Sequence, residues 1–261
     1  MGNFITTSLA PLIRVRIALA VTCAALAGFV LAPGAFPTSR AALLAWGVFL
    51  LAASGSILNQ FQERQSDALM ERTRQRPMAS GRMNRFVALI WGLIAGSGGI
   101  VILLLLDRKA AVAGLLALLF YNALYTPLKK RSFLALLPGA LCGSMAPAIG
   151  WLSAGGRPED YRMVLLCGLL LLWQIPHFWL FALENRDDLE RANLFPGLPT
   201  APRNYARALI LVWIFALLAG TLLLPALKVV PLLPTGMLLL LVAAGLTIRK
   251  IQIRNRQMES S

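Results

Sequence analysis

The sequence predicts an all-α fold: a polytopic membrane bundle of about eight transmembrane helices, with both termini cytoplasmic. Composition is the first observation behind this. Hydrophobic residues make up 58% of the chain and charged residues 14%, for a mean hydropathy of +0.70, which no ordinary soluble domain shows. Length of the apolar runs is the second: stretches of about 20 residues, enough to cross the hydrocarbon core, recur from end to end. The third is where the basic residues fall. Placed on the loops between eight spans, 19 of the 25 lysines and arginines collect on one side and 6 on the other, the asymmetry that marks a cytoplasmic face. The pI near 11.0 therefore reports topology and contact with the lipid bilayer, and argues against a nucleic-acid partner. Residues 1–261 read as one membrane domain with no room for a soluble one.

The spans are expected at about 13–33, 41–62, 86–106, 110–128, 133–153, 162–183, 205–224 and 229–249. The first follows Arg14 and Arg16; it is long for a signal-peptide core and equal segments follow it, so it reads as an uncleaved span. The second, LLAWGVFLLAASGSIL, runs straight into the polar stretch NQFQERQSDALMERTRQRP, closed by Pro77. In the glycine-rich third, Gly92 and Gly96 form a G-x-x-x-G pair suited to close helix packing, as do Gly139 and Gly143 in the fifth. The fourth ends in YNALYTPLKKRS, where Pro127 stops the helix before Lys129, Lys130 and Arg131. Pro138 and Pro147 lie within the fifth, tolerated in lipid where neighbours satisfy the freed backbone groups. The sixth carries the only histidine, His177, between Trp173 and Trp179. Spans seven and eight are plain apolar helices ahead of a polar tail. Cys23, Cys142 and Cys167 sit inside apolar runs, where they suit packing and support neither a metal site nor a disulfide framework.

The long, charge-rich connections follow spans two, four and six, so a polar site is expected at the cytoplasmic mouth of the bundle. Asn59, Glu63 and Asp67 are four residues apart and share one helical face, offering oxygen ligands to a hard divalent cation such as Mg2+. Arg72, Arg74 and Arg76 follow, and guanidinium forks match phosphate oxygens. The same residues also describe a juxtamembrane basic loop with helix ion pairs. Lys129, Lys130 and Arg131 fit either phosphate binding or the topology signal alone. His177 is an intramembrane ionisable group, and such groups mark function or are satisfied by a neighbouring helix. Beyond it, Glu184 and Asp188 repeat the spacing of Glu63 and Asp67, with Asp187 adjacent. Taken alone they describe a solvated helix end. Two acidic sets on one side of the membrane, each followed by basic residues, fit a diphosphate held through Mg2+ between them.

Four stretches then share a pattern: ASGSILNQFQERQSDALMERTRQRPM, YTPLKKRS, GALCGSMAPAIGW and LWQIPHFW…DDLERAN…P…LP, in that order over nearly all of residues 10–250. They resemble the UbiA superfamily of intramembrane prenyltransferases, and most closely its protohaem IX farnesyltransferase branch. P-H-F-W followed by D-D is the most branch-specific part. The resemblance implies one prenyltransferase domain in a bacterial inner membrane, with a central cavity open to the cytoplasm. It implies farnesyl diphosphate and haem B as substrates, haem B passing through and not kept as a prosthetic group, and Mg2+ as cofactor. Asn59, Glu63, Asp67, Asp187 and Asp188 would be catalytic, with Glu63, Asp67 and Asp188 holding the metal. Arg72, Arg76, Lys129, Lys130, Tyr125 and His177 would bind substrate, His177 near the haem. A downstream haem A synthase would be a partner. Three departures accompany the match: Glu63 and Gln65 stand where the family commonly has Asp, and eight spans are expected where it usually has nine. Prenylation of an aromatic quinone precursor, and a non-catalytic haem or isoprenoid binder, are the alternatives.

Overall fold

The computed structural model describes residues 10–34, 37–196 and 203–231. Among these residues every regular element is a helix: α1 (Ala10–Ile13), α2 (Val15–Leu31), α3 (Thr38–Leu69), α4 (Arg85–Leu106), α5 (Arg108–Leu128), α6 (Phe133–Ser153), α7 (Tyr161–Glu184), α8 (Arg186–Arg191) and α9 (Arg203–Ala226). Helices α3 to α7 are each long and apolar enough to cross a membrane, and α2 and the Ile210–Ala226 part of α9 are shorter apolar helices. The protein is an integral membrane protein. Seven of the eight expected spans coincide with these helices, while the last, 229–249, lies almost wholly outside the described residues.

Local chemistry sets the helix ends. Asn84, Asp107 and Asp160 each precede a helix and accept a hydrogen bond from a first-turn N–H, satisfying donors that the helix itself leaves open. Helix α3 continues to Leu69, past the expected end at 62, because Asn59–Leu69 holds good helix formers and neither glycine nor proline. Helix α6 departs from the single span expected: it turns at Met145 and restarts at Ala146. Pro147 cannot donate to the Gly143 carbonyl one turn back, whereas Pro138 lies in a first turn where no N–H is needed. Helix α5 widens into π geometry over Phe120–Tyr125. In that register the next donor to the Asn122 carbonyl would be Pro127, which has none, and Gln62 Nε2 takes its place at 3.1 Å.

Helix α3 runs through the middle of the bundle, against α2 and α4. Both G-x-x-x-G pairs are points of close approach: Ser54 Oγ donates to the Gly92 carbonyl at 2.7 Å, and a methyl on Gly139 would lie 2.8 Å from the Tyr125 ring. Helix α2 crosses the second half of α6 more tightly still, since a methyl on Gly150 would strike the Ala25 backbone and one on Gly28 the Pro147 backbone. At the end far from the polar loops, Arg40 Nη2 donates to Leu106 O (3.1 Å) and Ser153 O (3.0 Å), tying the ends of α4 and α6 to the start of α3. Val30, Trp46, Leu93 and Leu105 point outward, as lipid-facing side chains should. Around the opposite end, Met70, Leu136, Ala182, Leu189, Leu194 and Phe195 form a second apolar cluster beneath three loops. The candidate site rests on it.

Candidate active site

Asn59, Glu63 and Asp67 line the last three turns of α3, and each is nearly excluded from solvent, at 0%, 2% and 1% exposure. Asn59 Nδ2 donates to Thr126 Oγ1 at 3.0 Å, and that hydroxyl donates to the Tyr121 carbonyl at 2.8 Å. Asn59 Oδ1 is a buried acceptor without a hydrogen bond. Glu63 is paired with the buried Lys129 ammonium, which also lies 5.0 Å from the Tyr125 ring centroid. Both carboxylate oxygens of Asp67 accept from Arg76 Nη1 at 2.8 Å. Thr73 Oγ1 donates to the Asp67 carbonyl at 2.8 Å, so the loop returns its own arginine to the helix it leaves. Gln65 is exposed, so a carboxylate there would face away from this cluster.

One cation joins the site that the sequence did not nominate. Gln60 Nε2 donates to the carbonyls of Pro11 (3.0 Å) and Leu12 (2.9 Å), drawing α1 against α3. Arg14, left-handed at φ 50, then turns its guanidinium toward the Tyr121 hydroxyl at 3.4 Å, within electrostatic reach of Glu63 and Asp67. In the sequence Arg14 carries only a topology signal, because nothing local links it to residues some fifty positions away. Burial pushes the Lys129 ammonium below lysine's ordinary value, with Glu63 opposing. Burial likewise lowers Arg72 and Arg76, and the positive charge of Arg14 adds to it. Cations crowded in this way favour an anion.

The second acidic set is divided. Asn185 interrupts the helix, with its Nδ2 donating to Phe181 O at 2.8 Å, so Glu184 ends α7 and Asp188 belongs to α8. Asp188 is buried: its Oδ1 accepts from Glu71 N (3.0 Å) and Arg191 Nη2 (2.8 Å), and its Oδ2 from Arg72 N (3.3 Å). Arg191 also pairs with Glu71 at 2.8 Å. Asp187, Arg74 and Lys130 are exposed. The Arg72 guanidinium stacks over Phe181 at 5.0 Å. One turn away, about 6 Å along α7, His177 stacks on Trp173 with ring centroids 4.8 Å apart. Tyr125 stacks on Tyr121 at 5.6 Å and touches Phe195, whose N–H donates to the Lys129 carbonyl at 2.6 Å. The fold thus gathers Asn59, Glu63, Asp67, Arg76, Tyr125 and Lys129 into one cluster, with Arg72 on the adjoining loop and Asp188 of α8 bonded to that loop. Among the described residues no three carboxylate, imidazole or thiol groups form a ready-made metal cage. The oxygen donors on the α3 face are two carboxylates and the unpartnered amide oxygen of Asn59.

Residues 20–261 match the UbiA prenyltransferase family. A protoheme IX farnesyltransferase of Geobacter sulfurreducens is 45% identical over 215 residues, covering 82% of this chain and 79% of that protein. The protoheme IX farnesyltransferase of Nitratidesulfovibrio vulgaris (strain DP4) is 40% identical over 229 residues, covering 87% and 79%. Among solved structures, a UbiA homologue from Aeropyrum pernix K1 superposes with a TM-score of 0.78 at 19% identity, covering 91% of each chain. A UbiA homologue from Archaeoglobus fulgidus, bound to GPP and Mg2+, superposes with a TM-score of 0.75 at 15% identity, covering 94% of this chain and 87% of that one.

Proposed function

Because the chain belongs to the UbiA prenyltransferase family, we propose that it transfers the farnesyl group of farnesyl diphosphate to a vinyl group of haem B, giving haem O. The curated relatives at 40% identity or more support the pair of substrates. The observation that carries the reading is the buried face of α3, where Glu63 and Asp67 meet Lys129 and Arg76 beside an unpartnered Asn59 oxygen. Hard oxygen donors and crowded cations together suit a diphosphate with Mg2+.

The residues fit that metal: Glu63 and Asp67 would hold it with Asn59 Oδ1, an acceptor that now lacks a donor, and Asp188 with Asp187 would complete the site from the α8 side. Bound Mg2+ would stabilise charge on the departing diphosphate. Arg72, Arg76, Lys129 and Lys130 would hold the same oxygens from the protein side, where charge develops as the allylic C–O bond breaks and its electron pair leaves with the diphosphate. The vinyl π electrons then form the new C–C bond to the farnesyl carbon. Water adds to the cation left beside the porphyrin and loses a proton, which yields the hydroxyethylfarnesyl group. Tyr125, stacked on Tyr121, presents a π face to positive charge, and His177 orients the haem. The excess of basic residues on the loops at this end supports a site that faces the cytoplasm, and the bacterial relatives support an inner-membrane setting. A haem A synthase would consume the product.

Purified protein in liposomes, given haem B, farnesyl diphosphate and Mg2+, should yield a haem heavier by one farnesyl and one hydroxyl group, read by mass spectrometry. Diphosphate release with unmodified haem would instead assign another acceptor.

A further inference from the structure

The carboxylates on the α3 face already have counter-ions. Lys129 holds Glu63, Arg76 holds Asp67, and with Arg14 in reach the buried cluster sets three cations against two acids. A divalent cation entering alone would have to break both ion pairs and leave an ammonium and a guanidinium buried with no anion. A diphosphate entering alone would meet cations already engaged by carboxylates. Entering together, the two exchange partners: carboxylates pass to the metal, cations pass to the phosphate oxygens, and no buried charge is left unmatched. Each cation reaches α3 on a long side chain from a different segment, the end of α5 and the loop after α3, so both can turn while α3 stays intact.

We propose, resting on the reading of this pocket as a metal–diphosphate site, that Lys129 and Arg76 are exchange cations that close it to the bare divalent ion and admit the metal only with its anion. By linkage, the anion tightens the metal by the same factor as the metal tightens the anion. The cation that helps bind the substrate therefore hinders binding of the metal alone.

The test is equilibrium dialysis of the full chain in nanodiscs against Mn2+ as a stand-in for Mg2+, with and without farnesyl thiodiphosphate, an analogue slow to ionise. Wild-type protein should bind Mn2+ at least about tenfold more tightly with the analogue than without it. Lys129→Met should bind Mn2+ alone about tenfold more tightly than wild type and lose most of the enhancement by the analogue. Arg76→Met should behave likewise through Asp67. Misfolding can only weaken binding, so tightening is diagnostic. Tight binding of bare Mn2+ by wild type, or weaker bare-metal binding by both variants, would overturn the exchange; the mass-spectrometric product assay would then stand unaffected. Absence of Mn2+ binding even with the analogue present would overturn the metal–diphosphate reading itself, and the exchange with it.

Discussion

Arg14 shows what a single residue owes to contacts that no spacing predicts. Its guanidinium bonds the Tyr121 hydroxyl within electrostatic reach of Glu63 and Asp67, so it belongs with the cations around that acidic face and not merely at a helix start. Arg14→Gln keeps a donor for Tyr121 and removes the charge. It should raise KM for farnesyl diphosphate about tenfold, the worth of one charge-assisted hydrogen bond, with a smaller change in kcat. Steady-state kinetics would check this, and an unchanged KM would reduce Arg14 to a structural role. Asn59, Glu63 and Asp67 were legible because a four-residue spacing is local and fixes one helical face. Their counter-ions were legible only as a basic cluster. Which cation meets which acid depends on how α5 and the loop after α3 return to α3, and that is a tertiary fact.

The helices themselves were largely legible, since apolar length is written directly in the sequence. What the sequence concealed were departures from regular winding. Pro147 was visible but sat with Pro138 in what reads as one span, and nothing local marks the π turn of α5, where Gln62 from another helix donates to the Asn122 carbonyl. Close helix crossing gives a paired prediction. A methyl on Gly150 would meet the Ala25 backbone, which cannot move aside, so Gly150→Ala should cost at least about 1–3 kcal/mol and lower the unfolding temperature. Gly168, in the middle of α7, has open space around it, so Gly168→Ala should stabilise the protein by about 0.5–1 kcal/mol. Thermal unfolding in one detergent would compare the two.

Over the whole molecule, the charge pattern predicted a polar cluster where the connections after spans two, four and six meet, but not what fastens those connections together. Asp188 accepts two successive backbone N–H groups, from Glu71 and Arg72, and so joins α8 to the loop that carries the arginines. Backbone amides have no sequence signature, which is why this clasp could not be read in advance. Asp188→Ala leaves both donors unpaired, at about 1–3 kcal/mol each. Trypsin should then cleave at Arg72 or Arg74 at least about tenfold faster, and an unchanged rate would show the loop to be held by other means.

Helix α3 has 32 residues, or about 48 Å of helix against a hydrocarbon core of about 30 Å. Its apolar part ends where Asn59 begins, so the charged pocket stands at the boundary where lipid headgroups meet water. An isoprenoid diphosphate partitions to that same boundary, tail in the lipid and head in the aqueous layer. Encounter is then two-dimensional. Turnover should follow the mole fraction of substrate in the bilayer, and diluting the membrane with inert lipid will slow the enzyme even when the bulk concentration stays the same.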